Sequence, residues 1–252
     1  MAKCNKIRAD ELLVNSGLVE SKNKAQALIM AGRVTTDKGR EIKKAGEMVP
    51  IECQLLVKEG SLFVSRGGFK LQGALQDLKV DPQDLICLDL GASTGGFTDC
   101  LLKNGAAHVT AVDVGKGLID QSLRICPKVT LLENQNARYL GKLDLIFDLK
   151  GPFDLAVMDL SFISLSLILP VCAPLIKDRG KMIAMVKPQF EVGKGKTKRG
   201  VVKDPALIEE AALKISAIAP ILNPPFKVTG KAPSKLAGPK GNREIFVLME
   251  RL

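Results

Sequence analysis

The chain has 252 residues, 37 Lys and Arg against 27 Asp and Glu, and a formal charge of +10. That length fits one or two domains, and 46% apolar with 25% charged residues excludes a disordered or collagen-like chain. A single histidine, His108, argues against a Ser-His-Asp triad and multi-histidine zinc chemistry. The cysteines (Cys4, Cys53, Cys87, Cys100, Cys126, Cys172) form no CxxC pair. They point to a reducing cytosol, with neither disulfide framework nor metal site. The polar N-terminus lacks a signal-peptide core. The longest uncharged run, Leu160 to Ile176, is too short to span a bilayer and predicts a buried helix. The basic excess favours a polyanionic partner.

In chain order, Lys6 to Leu13 reads as a helix start, with Leu12 and Leu13 on its apolar side. Ser21 reads as the N-cap of a second helix bearing Ala25, Leu28 and Ile29, and Gly32 ends it. Val34, Ile42 and Ile51 to Val57 predict short strands. Arg8-Ala9-Asp10-x-Leu12-Leu13, Ser21-x-x-x-Ala25 and Leu28-Ile29-x-x-Gly32-x-Val34 resemble the small RNA-binding domain of ribosomal protein S four. That resemblance implies an RNA-binding basic face, for which Arg8, Lys22, Lys24 and Arg33 are the candidates by position. The connector at 58–61 predicts a boundary, giving domains 1–60 and 61–252. Arg66 and the adjacent Gly67 and Gly68 follow, where backbone approaches something closely.

The second part alternates apolar runs with helical spacing. Runs at Leu85–Leu90, His108–Val114, Lys128–Glu133, Leu155–Leu160, Lys181–Val186 and Glu244–Met249 predict strands. Phe97–Lys103, Leu165–Ile176 and Pro205–Ala219 predict helices. This is an α/β pattern: a mostly parallel sheet with helices on both faces and ligands beyond the carboxyl ends of its strands.

Asp89-Leu90-Gly91-Ala92-Ser93-Thr94-Gly95-Gly96-Phe97-Thr98 joins the first of these strands to a helix. The dinucleotide fingerprint needs glycine where Ser93 stands. The phosphate loop needs lysine where Phe97 stands, and Asp89 would repel phosphate. A loop without a cation suits S-adenosylmethionine, whose ammonium and sulfonium favour a carboxylate. Asp113, at the end of the next strand, is placed to take ribose hydroxyls.

Lys70, Asp159, Lys187 and Glu244 each lie beside a strand end or glycine turn. Two lysines and two carboxylates in one cleft suit methyl transfer to a hydroxyl. Lys187 is the candidate base with Lys70 as the neighbouring charge; Asp159 would orient Lys187, and Glu244 would orient Lys70 or the ribose. Basic residues at 194, 196, 198 and 199 (Lys194, Lys196, Lys198, Arg199) are spaced by glycines in a loop suited to phosphates, and Arg66 joins them. Phe69, Phe162 and Phe190 are the few aromatics available for base stacking, with core packing the expected role of each. Asn223-Pro224-Pro225-Phe226 copies a motif of amino-group methyltransferases but does not follow a buried strand.

Seven ordered motifs carry a resemblance covering essentially the whole chain. They are Ser65-Arg66-Gly67-Gly68-x-Lys70-Leu71, the Asp89-to-Thr98 loop, Glu133-x-x-Asn136-Ala137-Arg138 and Asp159-Leu160-Ser161-Phe162-Ile163-Ser164-Leu165. Val186-Lys187-Pro188-Gln189-Phe190-Glu191-Val192-Gly193-Lys194, Gly200-Val201-Val202-x-Asp204-Pro205 and Gly238-Pro239-x-Gly241-Asn242-x-Glu244 complete the set. The chain resembles the TlyA family, labelled hemolysin A, of FtsJ-like ribose 2′-O-methyltransferases. The resemblance implies a class I, Rossmann-like methyltransferase fold with a seven-stranded sheet and S-adenosylmethionine as donor. It implies ribose 2′-O-methylation of cytidine in ribosomal RNA or ribosomal subunits, and the cysteine pattern adds a cytoplasmic location and no metal. The Lys-Asp-Lys-Glu tetrad carries over to Lys70, Asp159, Lys187 and Glu244, and Asn136 joins the donor site. Ending at Leu252, the chain resembles members that act on the large subunit alone. The rival reading, a membrane-lytic hemolysin without methyltransferase activity, needs an amphipathic or spanning segment that the sequence does not show.

Overall fold

The structure, a computed structural model, describes residues 5–30, 32–57, 62–140, 150–193, 195–238 and 240–252. The first part holds β1 (Lys6–Arg8), α1 (Ala9–Asn15), α2 (Lys22–Met30), β2 (Val34–Thr36), β3 (Met48–Pro50) and β4 (Leu55–Val57). The expected helix start at Lys6 is instead a strand: Ile7 pairs with Val49, and the helix begins only at Ala9. Ser21 Oγ accepts from Lys24 N at 3.2 Å, and Gly32 ends α2 at φ +69°. β2 pairs with β4, whereas Ile42 is buried without belonging to a strand. Leu13, Ala25, Ile29, Val34, Ile42 and Val49 form an apolar cluster of their own. The expected boundary at 58–61 lies outside the described residues.

The second part runs α3 (Arg66–Leu78), β5 (Ile86–Leu90), α4 (Gly96–Lys103), β6 (His108–Val112), α5 (Gln121–Arg124) and β7 (Val129–Leu132). It continues with β8 (Phe153–Met158), α6 (Leu169–Cys172), β9 (Ile176–Val186), α7 (Pro188–Glu191), α8 (Pro205–Ser216), β10 (Phe226–Pro233) and β11 (Ile245–Arg251). The sheet order is β10-β11-β9-β8-β5-β6-β7, and β11 alone opposes the common direction. The period of two splits each strand between layers. Leu88, Leu90, Ala156, Met158 and Ala184 face α6 and α8. Cys87, Leu155, Val157, Ile183 and Phe246 face α3 and α4.

The close approach expected at Gly67 and Gly68 is a helix contact. A Cβ on Gly68 would lie 2.4 Å from Phe63 Cγ, and one on Gly96 would lie 2.9 Å from Gly68 N and about the same distance from Gly67 Cα. The predicted helix at Leu165–Ile176 is broken. A 3₁₀ turn at Leu165–Leu167, α6, and another at Ala173–Leu175 replace it. Pro170 and Pro174 each sit at the start of a new turn, because proline lacks the N–H that a continuing helix needs.

Candidate active site

The chain leaves β5 toward β6 on one side, while β8 flanks it on the other. Ligands bind at such a switch point, beyond the strand ends. Register builds the site. Leu90 pairs with Met158, which brings Gly91 beside Asp159, and Ile245 pairs with Val186, which brings Glu244 beside Lys187. Gly91 has φ +85°, and a Cβ there would stand 2.7 Å from Asp159 O. Glycine at this position is what lets the β5 and β8 loops touch.

A cleft of about 450 Å³ opens there, and all four predicted catalytic residues line it. Lys70 Nζ is 2.5 Å from Glu244 Oε2, with side chains 8% and 1% exposed. Lys187 Nζ is 2.6 Å from Asp159 Oδ1 and donates to Ser161 Oγ at 2.8 Å. Each lysine thus has its own carboxylate.

Gly91, Ala92, Ser93, Thr94, Gly96 and Phe97 line the same cleft. Asp89, Gly95, Thr98 and Asp113 stand behind that wall and shape it, while Asn136 is not among the residues that line the cleft. Asp113 accepts from Ser93 N at 2.8 Å and Gly115 N at 2.7 Å. Gly95 packs on Leu123 and Ile119, and Asn136 caps a turn by accepting from Arg138 N at 3.0 Å. Thr98 Oγ1 donates to Asp89 Oδ2 at 2.7 Å, while Asp89 Oδ1 is buried without a partner. Burial pushes the Asp89 carboxyl up to about 7, with the Thr98 hydroxyl opposing the shift. Burial likewise pushes the Cys87, Cys100 and Cys172 thiols up to about 12, leaving them protonated and inert.

The predicted RNA contacts disperse. Arg8 is held by Asp10, and Lys22 by Glu11. Lys24 reaches Asp120 of the second part at 3.7 Å, and the Arg33 charge also acts on Asp120. Arg66 lines the cleft and pairs with Glu41 at 3.1 Å. Lys196 pairs with Glu210, Lys198 and Val201 bridge through their backbones, and Arg199 has φ +53°. Lys194 lies outside the described residues.

Several cleft residues carried no sequence signal of their own. Met30 enters from the first part, Thr197 from the loop after α7 and Lys240 from the turn before β11, where Asn242 of the last motif also lines the cleft. The core role expected for Phe162 is wrong. Its ring is 91% exposed, at φ +65°, with its centroid 5.3 Å from that of Phe190. Among the described residues no group of three His, Cys, Asp or Glu could hold a metal, and no helix is long and apolar enough to cross a membrane.

This strand order, with a glycine loop and paired lysines and carboxylates beyond it, defines a class I methyltransferase. Residues 63–251 match the FtsJ-like methyltransferase family, and the chain belongs to it. It is 42% identical over 242 residues to the 16S/23S rRNA (cytidine-2′-O)-methyltransferase TlyA of Mycobacterium tuberculosis, covering 95% of this chain and 88% of that protein. It is 36% identical over 239 residues to Hemolysin A of Brachyspira hyodysenteriae, covering 94% and 97%. A solved hemolysin-labelled protein from Streptococcus thermophilus superposes with a TM-score of 0.75 at 38% identity, over 99% of this chain and 90% of that one.

Proposed function

We propose that this protein is a cytoplasmic, S-adenosylmethionine-dependent methyltransferase of the ribose 2′-hydroxyl of cytidine in ribosomal RNA. The observation that carries the reading is the meeting of both Lys–carboxylate pairs in one cleft beyond the glycine loop. The loop fits the donor. It lines the cleft, it lacks a phosphate-binding lysine, and the buried Asp89 beneath it has an unpartnered oxygen. When bound, S-adenosylmethionine supplies an electrophilic methyl group. Gly91 to Thr94, Gly96 and Phe97 hold it, while Asp89, Gly95, Thr98 and Asp113 shape the loop. Lys187 as the neutral amine takes the hydroxyl proton at Nζ and becomes the ammonium that Asp159 and Ser161 hold. Lys70, fixed by Glu244, presents a positive charge to the ribose oxygen as it loses its proton. Positioning supplies much of the acceleration. Arg66, Lys196, Lys198 and Arg199 hold phosphates beside the cleft, Lys194 joins them by its place in the sequence, and Phe162 offers a base its exposed face. The first part, residues 1–60, is the RNA-binding domain, with Arg8, Lys22, Lys24 and Arg33 as its basic contacts.

The test incubates the protein with ribosomal subunits lacking the modification and donor labelled on its methyl group. Label is expected at a ribose 2′-oxygen with wild type and not with Lys187→Ala; the labelled nucleotide identifies the subunit. Label on a base overturns the reading.

A further inference from the structure

One buried carboxylate near the cleft takes no part in the chemistry above. Glu191 closes α7, four residues after Lys187, and is 6% exposed. Its Oε1 accepts from Leu165 N at 2.8 Å, and its Oε2 accepts from Ser164 Oγ at 2.6 Å. From α8, Lys214 Nζ donates to Glu191 O at 3.0 Å and stands 3.4 Å from Oε2. Ser164 and Leu165 lie five and six residues beyond Asp159. One side chain on the Lys187 turn therefore grips the loop that carries Asp159, Ser161 and Phe162.

We infer that Glu191 is a positioning residue that sets the Lys187–Asp159 distance by clamping the loop after β8 to the turn after β9. Asp159 N donates to Leu90 O at 3.0 Å, but residues 160–164 belong to no helix or strand and Phe162 sits at positive φ, so the backbone ladder holds the start of this loop and the Glu191 bonds hold its far end. A buried carboxylate is costly unless hydrogen-bonded, and an apolar side chain would pack as well. What the carboxylate adds is direction: two acceptors aimed at two donors of one loop. A misplacement of about 1 Å from a distant substitution can cost roughly 100-fold in rate. This inference rests on the reading of Lys187 as base.

The test compares Glu191→Ala, Glu191→Gln and Lys214→Met with wild type and Lys187→Ala. Unmodified ribosomal RNA is the acceptor, and kcat, KM for RNA and donor Kd are measured below every variant's melting temperature. Glu191→Ala should lower kcat about 100-fold, with KM and donor Kd unchanged. Glu191→Gln keeps both bonds, its Oε1 accepting from Leu165 N and its Nε2 donating to Ser164 Oγ, and should restore kcat. Lys214→Met should leave kcat alone, which separates the clamp from the docking of α8. Full kcat in Glu191→Ala beside an inactive Lys187→Ala overturns the inference and spares the base. An active Lys187→Ala overturns both. If Glu191→Ala does not fold, Ser164→Ala decides: a fall in kcat with KM and donor Kd unchanged supports the clamp, and an unchanged kcat overturns it.

Discussion

Lys70 and Glu244 are 174 residues apart, yet they form a buried pair. Glu244 Oε1 has no hydrogen-bond partner among the described residues, so Lys70 is the partner that compensates this carboxylate. Lys70→Met removes the ion-pair partner of Glu244, whose side chain is 1% exposed. One-sided removal of a buried pair costs about 3–5 kcal/mol. At roughly 2–4 °C per kcal/mol for a chain of this size, the melting temperature should fall by about 6–20 °C. Glu244→Leu alone should cost a similar amount by stranding the ammonium. The double variant buries neither charge, and replacing a whole pair by apolar groups is often neutral. It should therefore melt close to wild type while transferring no methyl group. The assay is a double-mutant cycle by thermal and denaturant unfolding, with methyl incorporation in parallel. Additive losses in the double variant, or a Lys70→Met protein as stable as wild type, would refute the reasoning.

Asp89 keeps its proton to about pH 7 when folded, against an ordinary value of 3.8. Between these values the unfolded chain holds fewer protons, so stability falls as pH rises through that window and is flat above it. The contribution is at most about 4 kcal/mol, and Asp89→Asn should remove the slope in melting curves taken from pH 4 to 8. Gly96→Ala puts a Cβ 2.1 Å from Ser65 Oγ and 2.9 Å from Gly68 N. It should cost about 1–3 kcal/mol in denaturant unfolding by forcing α3 from α4. Phe162→Ala should weaken RNA binding by about 1–3 kcal/mol, measured by titration with single-stranded RNA. Its melting temperature should not change, because the ring is 91% exposed.

Strands buried on both faces were legible because they read as continuous apolar runs ending in Asp, Lys or Gly. β10 was not. It is an edge strand whose exposed residues alternate with buried ones, and it follows the distracting Asn223-Pro224-Pro225-Phe226. β1 and β3 are three residues each, too short for a period to show. Lys70, Asp159, Lys187 and Glu244 were found through strand ends and family motifs, and Asp159 was matched to Lys187; Glu244 stayed open between Lys70 and the ribose, because the Lys70 contact depends on how α3 packs on the sheet. The exposure of Phe162 was hidden for another reason. A phenylalanine in an apolar run reads as core, and only the positive φ after Ser161 turns it outward.

α3 begins at Arg66, whose guanidinium holds Glu41 of the N-terminal segment. One turn later, about 6 Å along the axis, it carries Lys70. A Cβ on Gly32 would lie 2.6 Å from Arg66 Cδ, so glycine there leaves room for the arginine side chain. The first turn of α3 thus has one end against the small unit and the other at the Lys70–Glu244 pair. The tie is one half-exposed ion pair on a flexible side chain, so it holds the small unit loosely. Glu41, outside the cleft, thereby touches the same helix turn that presents Lys70 to it.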